Sequence, residues 1–201
     1  MKEDHTHMQD SNTDIWSISD TDFKKHFEQI YYEYIDSLYR FAYFRITDVD
    51  KATDLVQDIF IKYFAYLQKL RDSNTVKDLN HRAFLFQSLR NAIIDQYRLK
   101  KTYSLDSMID EEGYDMHSDE DVGAATETDI DFKALVKHVV KLKPAQQELI
   151  YMRYFEALSI PEMSLALNER ENTLSVKLHR IAESLRKMIE KEKTQNHNKH
   201  S

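Results

Sequence analysis

The chain has no cysteine, so disulfide frameworks, thiolate metal sites and cysteine nucleophiles are all excluded. Glycine and proline are almost as scarce, with 2 of each in 201 residues. Hairpin turns and phosphate-cradling loops depend on those residues, so all-β and dinucleotide-binding α/β architectures fit poorly. No apolar run approaches the roughly 20 residues that a membrane span needs, and no membrane insertion is expected. Met1–Asp22 is polar and acidic and lacks the apolar stretch of a secretory signal. It reads as a disordered tail, and a cytoplasmic location is expected.

What remains is 41% hydrophobic and 31% charged, the composition of well-solvated helices joined by polar loops. The net charge of −7 is unevenly spread. Phe23–Lys101 carries 14 basic and 10 acidic residues, and Phe132–Lys193 carries 12 and 8. Between them, Thr102–Asp131 has 11 acids and no Lys or Arg. Two mildly basic blocks are therefore separated by an acidic linker that repels itself and has too few apolar residues to build a core. On composition, that linker serves equally well as a solvated tether or as an imitation of a polyanion.

In the first block, Phe27, Ile30, Tyr31, Tyr34, Ile35, Leu38, Phe41 and Ala42 recur at helical spacing. A second helix follows Asp48 or Asp50 as its cap, with Leu55, Ile59, Phe60, Tyr63, Phe64 and Leu67 on one side. Leu70–Asn80 reads as a polar loop. A third helix, about Arg82 to Lys100, carries Phe84, Leu85, Leu89, Ile93 and Tyr97, with basic residues at its negative pole. The aromatic residues at this spacing are core residues.

The second block opens with Phe132, Leu135, Val136, Val139 and Leu142, and Pro144 suits the first turn of a new helix. Ser159 caps a short helix, with Glu162 at the capping-box position. Asn168-Glu169-Arg170 forms a turn, and a long helix runs on to about Glu190. Two helices joined in this way have the layout of a DNA-binding helix-turn-helix. Ser164 permits close approach of the helices, Asn168 tolerates a left-handed backbone, and Leu174, Leu178 and Ile181 anchor the second helix. Arg170, Asn172, Thr173, Ser175, Lys177, His179 and Arg180 then face outward, with donors and acceptors suited to phosphates and base edges. The same residues would also serve an ordinary helical hairpin with a solvated charged face.

Four stretches carry a family resemblance. Ala52-Thr53-Asp54-Leu55-Val56-Gln57-Asp58-Ile59-Phe60 and Phe84 through Arg98 resemble region 2 of the extracytoplasmic-function (ECF) sigma factors of the sigma-70 family. Leu142 through Ser159, followed by Thr173–Arg186, resembles their region 4. The resemblance implies an all-α fold with two small helical domains joined by a flexible acidic linker. Region 2, a three- or four-helix bundle, would span residues 23–101 and region 4, the helix-turn-helix, residues 132–190. The tail 1–22, the linker 102–131 and a polar C-terminal tail 191–201 complete the chain.

The resemblance also implies a transcription-initiation subunit that binds core RNA polymerase, at the β′ clamp and the β subunit, and promoter DNA. Asp54, Gln57, Asp58 and Ile61 would dock on polymerase. Arg82, Arg90, Asn91, Asp95 and Arg98, with the loop before them, would handle the −10 element, where an unstacked base is captured. The residues from Arg170 to Arg180 would read the −35 element. An anti-sigma factor is the expected regulatory partner. The family turn commonly reads Gly-Ile-Ser, and Glu169 in place of its apolar residue predicts a looser turn here.

No cofactor, metal or catalytic residue is expected. His5 and His7 lack a third ligand at a defined spacing, and no nucleophile–base arrangement or paired carboxylates emerge. A free-standing DNA-binding regulator and a sigma-like module that binds polymerase without reading DNA are the alternative classes.

Overall fold

The computed structural model describes residues 19–73, 79–103 and 137–197. Among the described residues, every regular element is helical. Helix α1 (Asp20–Ile46) begins where Ser19 Oγ accepts a hydrogen bond from the Asp22 amide at 3.2 Å and donates to the Asp22 carboxylate at 2.7 Å. This cap draws Asp20–Asp22 into the helix, out of the segment assigned to a disordered tail. Thr47 closes α1 in the left-handed region, φ 52°. Of the two candidate caps, Asp48 starts α2 (Val49–Asp72), accepting from the Lys51 amide.

Helix α2 runs through Leu70–Asp72, where a loop is expected from the sequence, because Leu70 extends the apolar stripe and is buried. Helix α3 (His81–Tyr103) is capped by Asn80, whose side-chain oxygen accepts from the Ala83 amide at 2.9 Å. The three helices close over interlocked rings. Phe27 meets Phe64 edge-on at 4.8 Å, Tyr31 lies 4.7 Å from Phe60, and Tyr66 stacks on Phe84 at 4.8 Å. Tyr63 is buried among them and its hydroxyl is bonded to His81 Nδ1. Aromatic pairs in such geometries contribute about 0.5–1.5 kcal/mol each beyond their area.

The second group is built more from caps and special backbone positions. Gln147 Nε2 donates to the carbonyls of Val140 and Leu142, each at 2.9 Å, tying the preceding turn to α4 (Pro144–Ile150). Pro144 sits in the first turn of α4. A π turn, Tyr151–Phe155, continues α4, and Ala157 then adopts φ 52°. Helix α5 (Ile160–Leu167) starts with the expected capping box between Ser159 and Glu162. Asn168 supplies the expected left-handed turn, φ 51° and ψ 46°, before α6 (Glu171–His197). Helix α6 continues beyond Glu190 into the stretch read as a polar tail. Met152, Leu158, Met163, Ala166, Leu174, Leu178 and Ile181 form the aliphatic core.

The two groups share one continuous buried cluster. Phe44 of α1 stacks on Tyr151 at 4.1 Å, Phe41 lies 5.9 Å from the same ring, and α3 packs along α5. The linker proposed for residues 102–131 lies outside the described residues, apart from the last turn of α3. The loop positions 74–78 and the tail up to residue 18 also lie outside them.

Candidate nucleic-acid interface

On α2 the buried side is Leu55, Val56, Ile59, Phe60 and Tyr63. The opposite stripe, at spacings of three and four, holds Asp54, Gln57, Asp58 and Ile61, all exposed. Ile61 is 67% exposed, an apolar side chain at the C-terminal end of a polar stripe. These four residues form one continuous surface.

Helix α3 divides its five candidates between two faces. Asn91, Asp95 and Arg98 are exposed, one helical turn apart, with Arg98 Nη1 3.6 Å from the Asp95 carboxylate. Arg82 and Arg90 point instead toward the second group. Arg90 Nε donates to Glu148 Oε1 at 3.1 Å, and Arg45 Nη1 of α1 lies 3.0 Å from the same oxygen. Arg82 donates to the Glu156 carbonyl and lies 3.9 Å from the Glu162 carboxylate. Only the first three candidates therefore share an open face.

Two of the acids facing these arginines, Glu148 and Glu156, were not singled out from the sequence. Glu148 and Glu156 are both buried. Glu156 accepts from Ser37 Oγ and, at 3.1 and 2.9 Å, from Arg40 Nε and Nη2. The bonded Glu156 carboxylate holds the Arg40 guanidinium above its usual pKa. Burial pushes the neighbouring Tyr151 phenol well above its ordinary range, reinforced by Glu156. The available signal was indirect: Glu148 and Glu156 bracket Leu149–Phe155, a largely apolar and aromatic run whose one charged residue is Arg153.

On α6, Asn172, Thr173, Ser175, Lys177, His179 and Arg180 are exposed, as is Arg170 in the turn. Leu174, Leu178 and Ile181 are buried behind them, as the spacing predicts. The turn itself is firmer than expected. Ser164 Oγ donates to the Glu169 carbonyl at 2.6 Å, and the Glu169 amide donates to the Ser164 carbonyl at 3.1 Å. The Glu169 side chain pairs with Lys177, so the charge replaces an apolar contact with an ion pair across the turn.

Comparison with known proteins fits this arrangement. Residues 30–102, which include α2 and most of α3, match the family model of Sigma-70 region 2. The ECF RNA polymerase sigma factor SigW of Bacillus subtilis is 27% identical over 168 residues, 78% of this chain and 84% of that protein. The chain is an ECF sigma factor of the sigma-70 family. The RNA polymerase sigma factor YlaC of Bacillus subtilis is 23% identical over 164 residues, 82% of this chain and 92% of that one. Among solved structures, the fold resembles the sigma factor RpoE from Bartonella quintana, crystallised with the anti-sigma factor NepR. That match has a TM-score of 0.59 at 24% identity, covering 85% of this chain and 98% of that one.

As a sigma factor, the chain directs promoter-specific transcription initiation. Sigma factors are non-enzymatic regulators. Among the described residues, no helix is long and apolar enough to cross a membrane, and no cluster of three or more His, Asp or Glu could hold a metal ion.

Proposed function

We propose that this sigma factor divides its work among three helix faces. The stripe Asp54, Gln57, Asp58 and Ile61 docks on the β′ clamp of core polymerase. Helix α3 handles the −10 element through Asn91, Asp95 and Arg98, joined by Arg82 and Arg90. The turn and first half of α6 read the −35 element, with Arg170, Asn172, Thr173, Ser175, Lys177, His179 and Arg180 in or beside the major groove. Residues 23–101 then act as region 2 and residues 132–190 as region 4, which also contacts the β subunit. The work is done in the cytoplasm, with polymerase.

The observation that carries this reading is the exposed Asp54–Ile61 stripe lying within the region 2 match. A solvated helix face has no need of a two-thirds-exposed isoleucine, whereas a docking face uses one as an anchor. The α6 face lends independent support because all seven of its candidates are exposed together. An anti-sigma factor is the expected antagonist, as for the RpoE neighbour solved with NepR.

The test mixes purified protein with cognate core polymerase, followed by gel filtration and run-off transcription on genomic fragments. Co-migration with initiation at a restricted promoter set is expected. Ile61→Asp should abolish co-migration while leaving the helical content intact. Failure of the native protein to bind a competent core would overturn the assignment, and binding without initiation would favour a sigma-like module that does not read DNA.

A further inference from the structure

We propose that Val176 is a specificity-determining residue of the −35 face, selecting a thymine by its C5-methyl group in the major groove. The proposal rests on the assignment of α6 to the −35 element and deepens it by naming the base that its central residue selects.

Position comes first. At about 100° per residue, the buried Leu174, Leu178 and Ile181 lie on one side of α6. Val176 lies on the opposite side and is 49% exposed. Its neighbours on the helix surface, three and four residues away, are Asn172, Thr173, His179 and Arg180. All four are polar and exposed, so Val176 is an apolar side chain in the middle of a polar ring. A helix laid in the major groove brings the centre of its outward face closest to the base edges, while its flanks meet the backbone. Glu183 lies two turns further along the same line and is exposed. An acid has no favourable place against phosphates, so the stretch that enters the groove ends before it, with Val176 near the middle.

The chemistry follows from what valine lacks. Its side chain carries neither donor nor acceptor, so a search for hydrogen-bonding residues passes over it. Pressed against an adenine, guanine or cytosine edge, it would strip water from a polar group and offer no partner in return. Thymine alone presents an apolar group in the major groove, its C5-methyl. Contact with Val176 removes apolar surface from water on both sides. Without DNA, valine at this position has little to recommend it. Its branched side chain makes it a poorer helix former than alanine, and half of it faces solvent.

Deoxyuridine isolates the methyl group, because it pairs as thymine does and lacks only that group. Holoenzyme is assembled from the full chain and cognate core polymerase. Its affinity is measured on a promoter duplex recovered by the run-off experiment, with each −35 thymine replaced in turn by deoxyuridine. One replacement should weaken binding about fourfold, the value of one buried methyl group. Val176→Ala should lose a similar factor on the thymine duplex and should bind both duplexes equally. A change that merely disturbed the helix would weaken both alike. Val176→Thr keeps one methyl group at the same branch point and should retain part of the discrimination. The contact releases no counterion, so the ratio of the two affinities should stay fixed as salt rises and both fall.

A −35 element with no thymine on either strand overturns the proposal at once. So does an element in which every thymine tolerates deoxyuridine, or discrimination that survives Val176→Ala. Scrambling the −35 element separates this failure from that of the reading beneath it. If binding ignores the scramble, the assignment of α6 has failed and Val176 with it. If the scramble weakens binding and every deoxyuridine is silent, Val176 alone has failed.

Discussion

The two helical groups reach stability by different means. In α1–α3, rings from all three helices interlock, and the caps at Ser19, Asp48 and Asn80 only set helix ends. In α4–α6 the core is aliphatic and smaller, and shape depends on a capping box, a π turn and left-handed residues at Ala157 and Asn168. The first group resembles a packed scaffold on which an exposed stripe is displayed. The second is a set of corners that must hold one recognition helix at a defined angle. Damage to side-chain volume should therefore hurt the first group most, and backbone changes should be felt mainly in the second.

The largest effect should come from emptying the aromatic core. Phe86 is fully buried and lies 5.4 Å from Phe41, so Phe86→Ala should destabilise the protein by about 3–5 kcal/mol in denaturant titrations. Leu178→Ala on α6, at a site 6% exposed, should fall near the lower end of the aliphatic range, about 2–3 kcal/mol. If both variants show one shared transition by calorimetry, the groups unfold together and the contrast between them is one of design rather than of cooperativity.

Next in size is a functional contrast. Arg180→Ala should weaken binding to −35 duplex DNA by about tenfold, in line with one lost base or phosphate contact. Melting temperature should hardly move, because the side chain is exposed. An unchanged affinity in a gel-shift titration would remove Arg180 from the reading face.

A smaller effect should appear with pH, and in the first group only. His26 and His81 face each other at 5.7 Å, and burial lowers both pKa values below 6.5, with His26 adding to the effect on His81 and Glu33 opposing it. Below pH 6.5 the unfolded chain takes up protons that the folded imidazoles refuse. Stability contributed by the neutral rings is thus present above 6.5 and declines as pH falls from there toward the lowered folded values. Thermal melts at pH 7.5 and 5.5 should show the loss, and His81→Gln should flatten it. A melting point that rises on acidification would contradict this account.

The smallest effect belongs to the backbone of the second group. Ala157 at φ 52° bears the left-handed penalty that glycine avoids, so Ala157→Gly should stabilise by up to about 1 kcal/mol. The gain should vanish if the residue relaxes out of that region in solution, which the φ-sensitive couplings of its amide would reveal.

Features set by neighbours in the chain were legible from the sequence. The apolar side of α2 follows from spacing alone, Ser159 and Glu162 announce their helix start, and Asn168 was the one residue near the turn suited to a positive φ. Features set by distant residues were not. Arg90 and Glu148 are 58 positions apart, and Arg82 and Glu156 are 74 apart. Nothing local distinguishes an arginine reserved for DNA from one held by a buried acid. The π turn stayed hidden because Leu149, Ile150 and Met152 satisfy an apolar pattern under either helical geometry. Asn80, lost in a polar stretch, announced its cap only in the structure.

The ion pair between Glu169 and Lys177 has a consequence for how this protein senses its ionic surroundings. Of the three cations proposed for the −35 face, Arg170, Lys177 and Arg180, one already has a counter-charge built into the turn. A cation neutralised in advance displaces no condensed sodium or potassium from the duplex. With two such residues left instead of three, the logarithmic slope of affinity against salt should be nearer about −2 than −3. Each doubling of monovalent salt would then cost this helix about fourfold in affinity where three free cations would cost about eightfold, leaving more of promoter choice to hydrogen bonds at base edges.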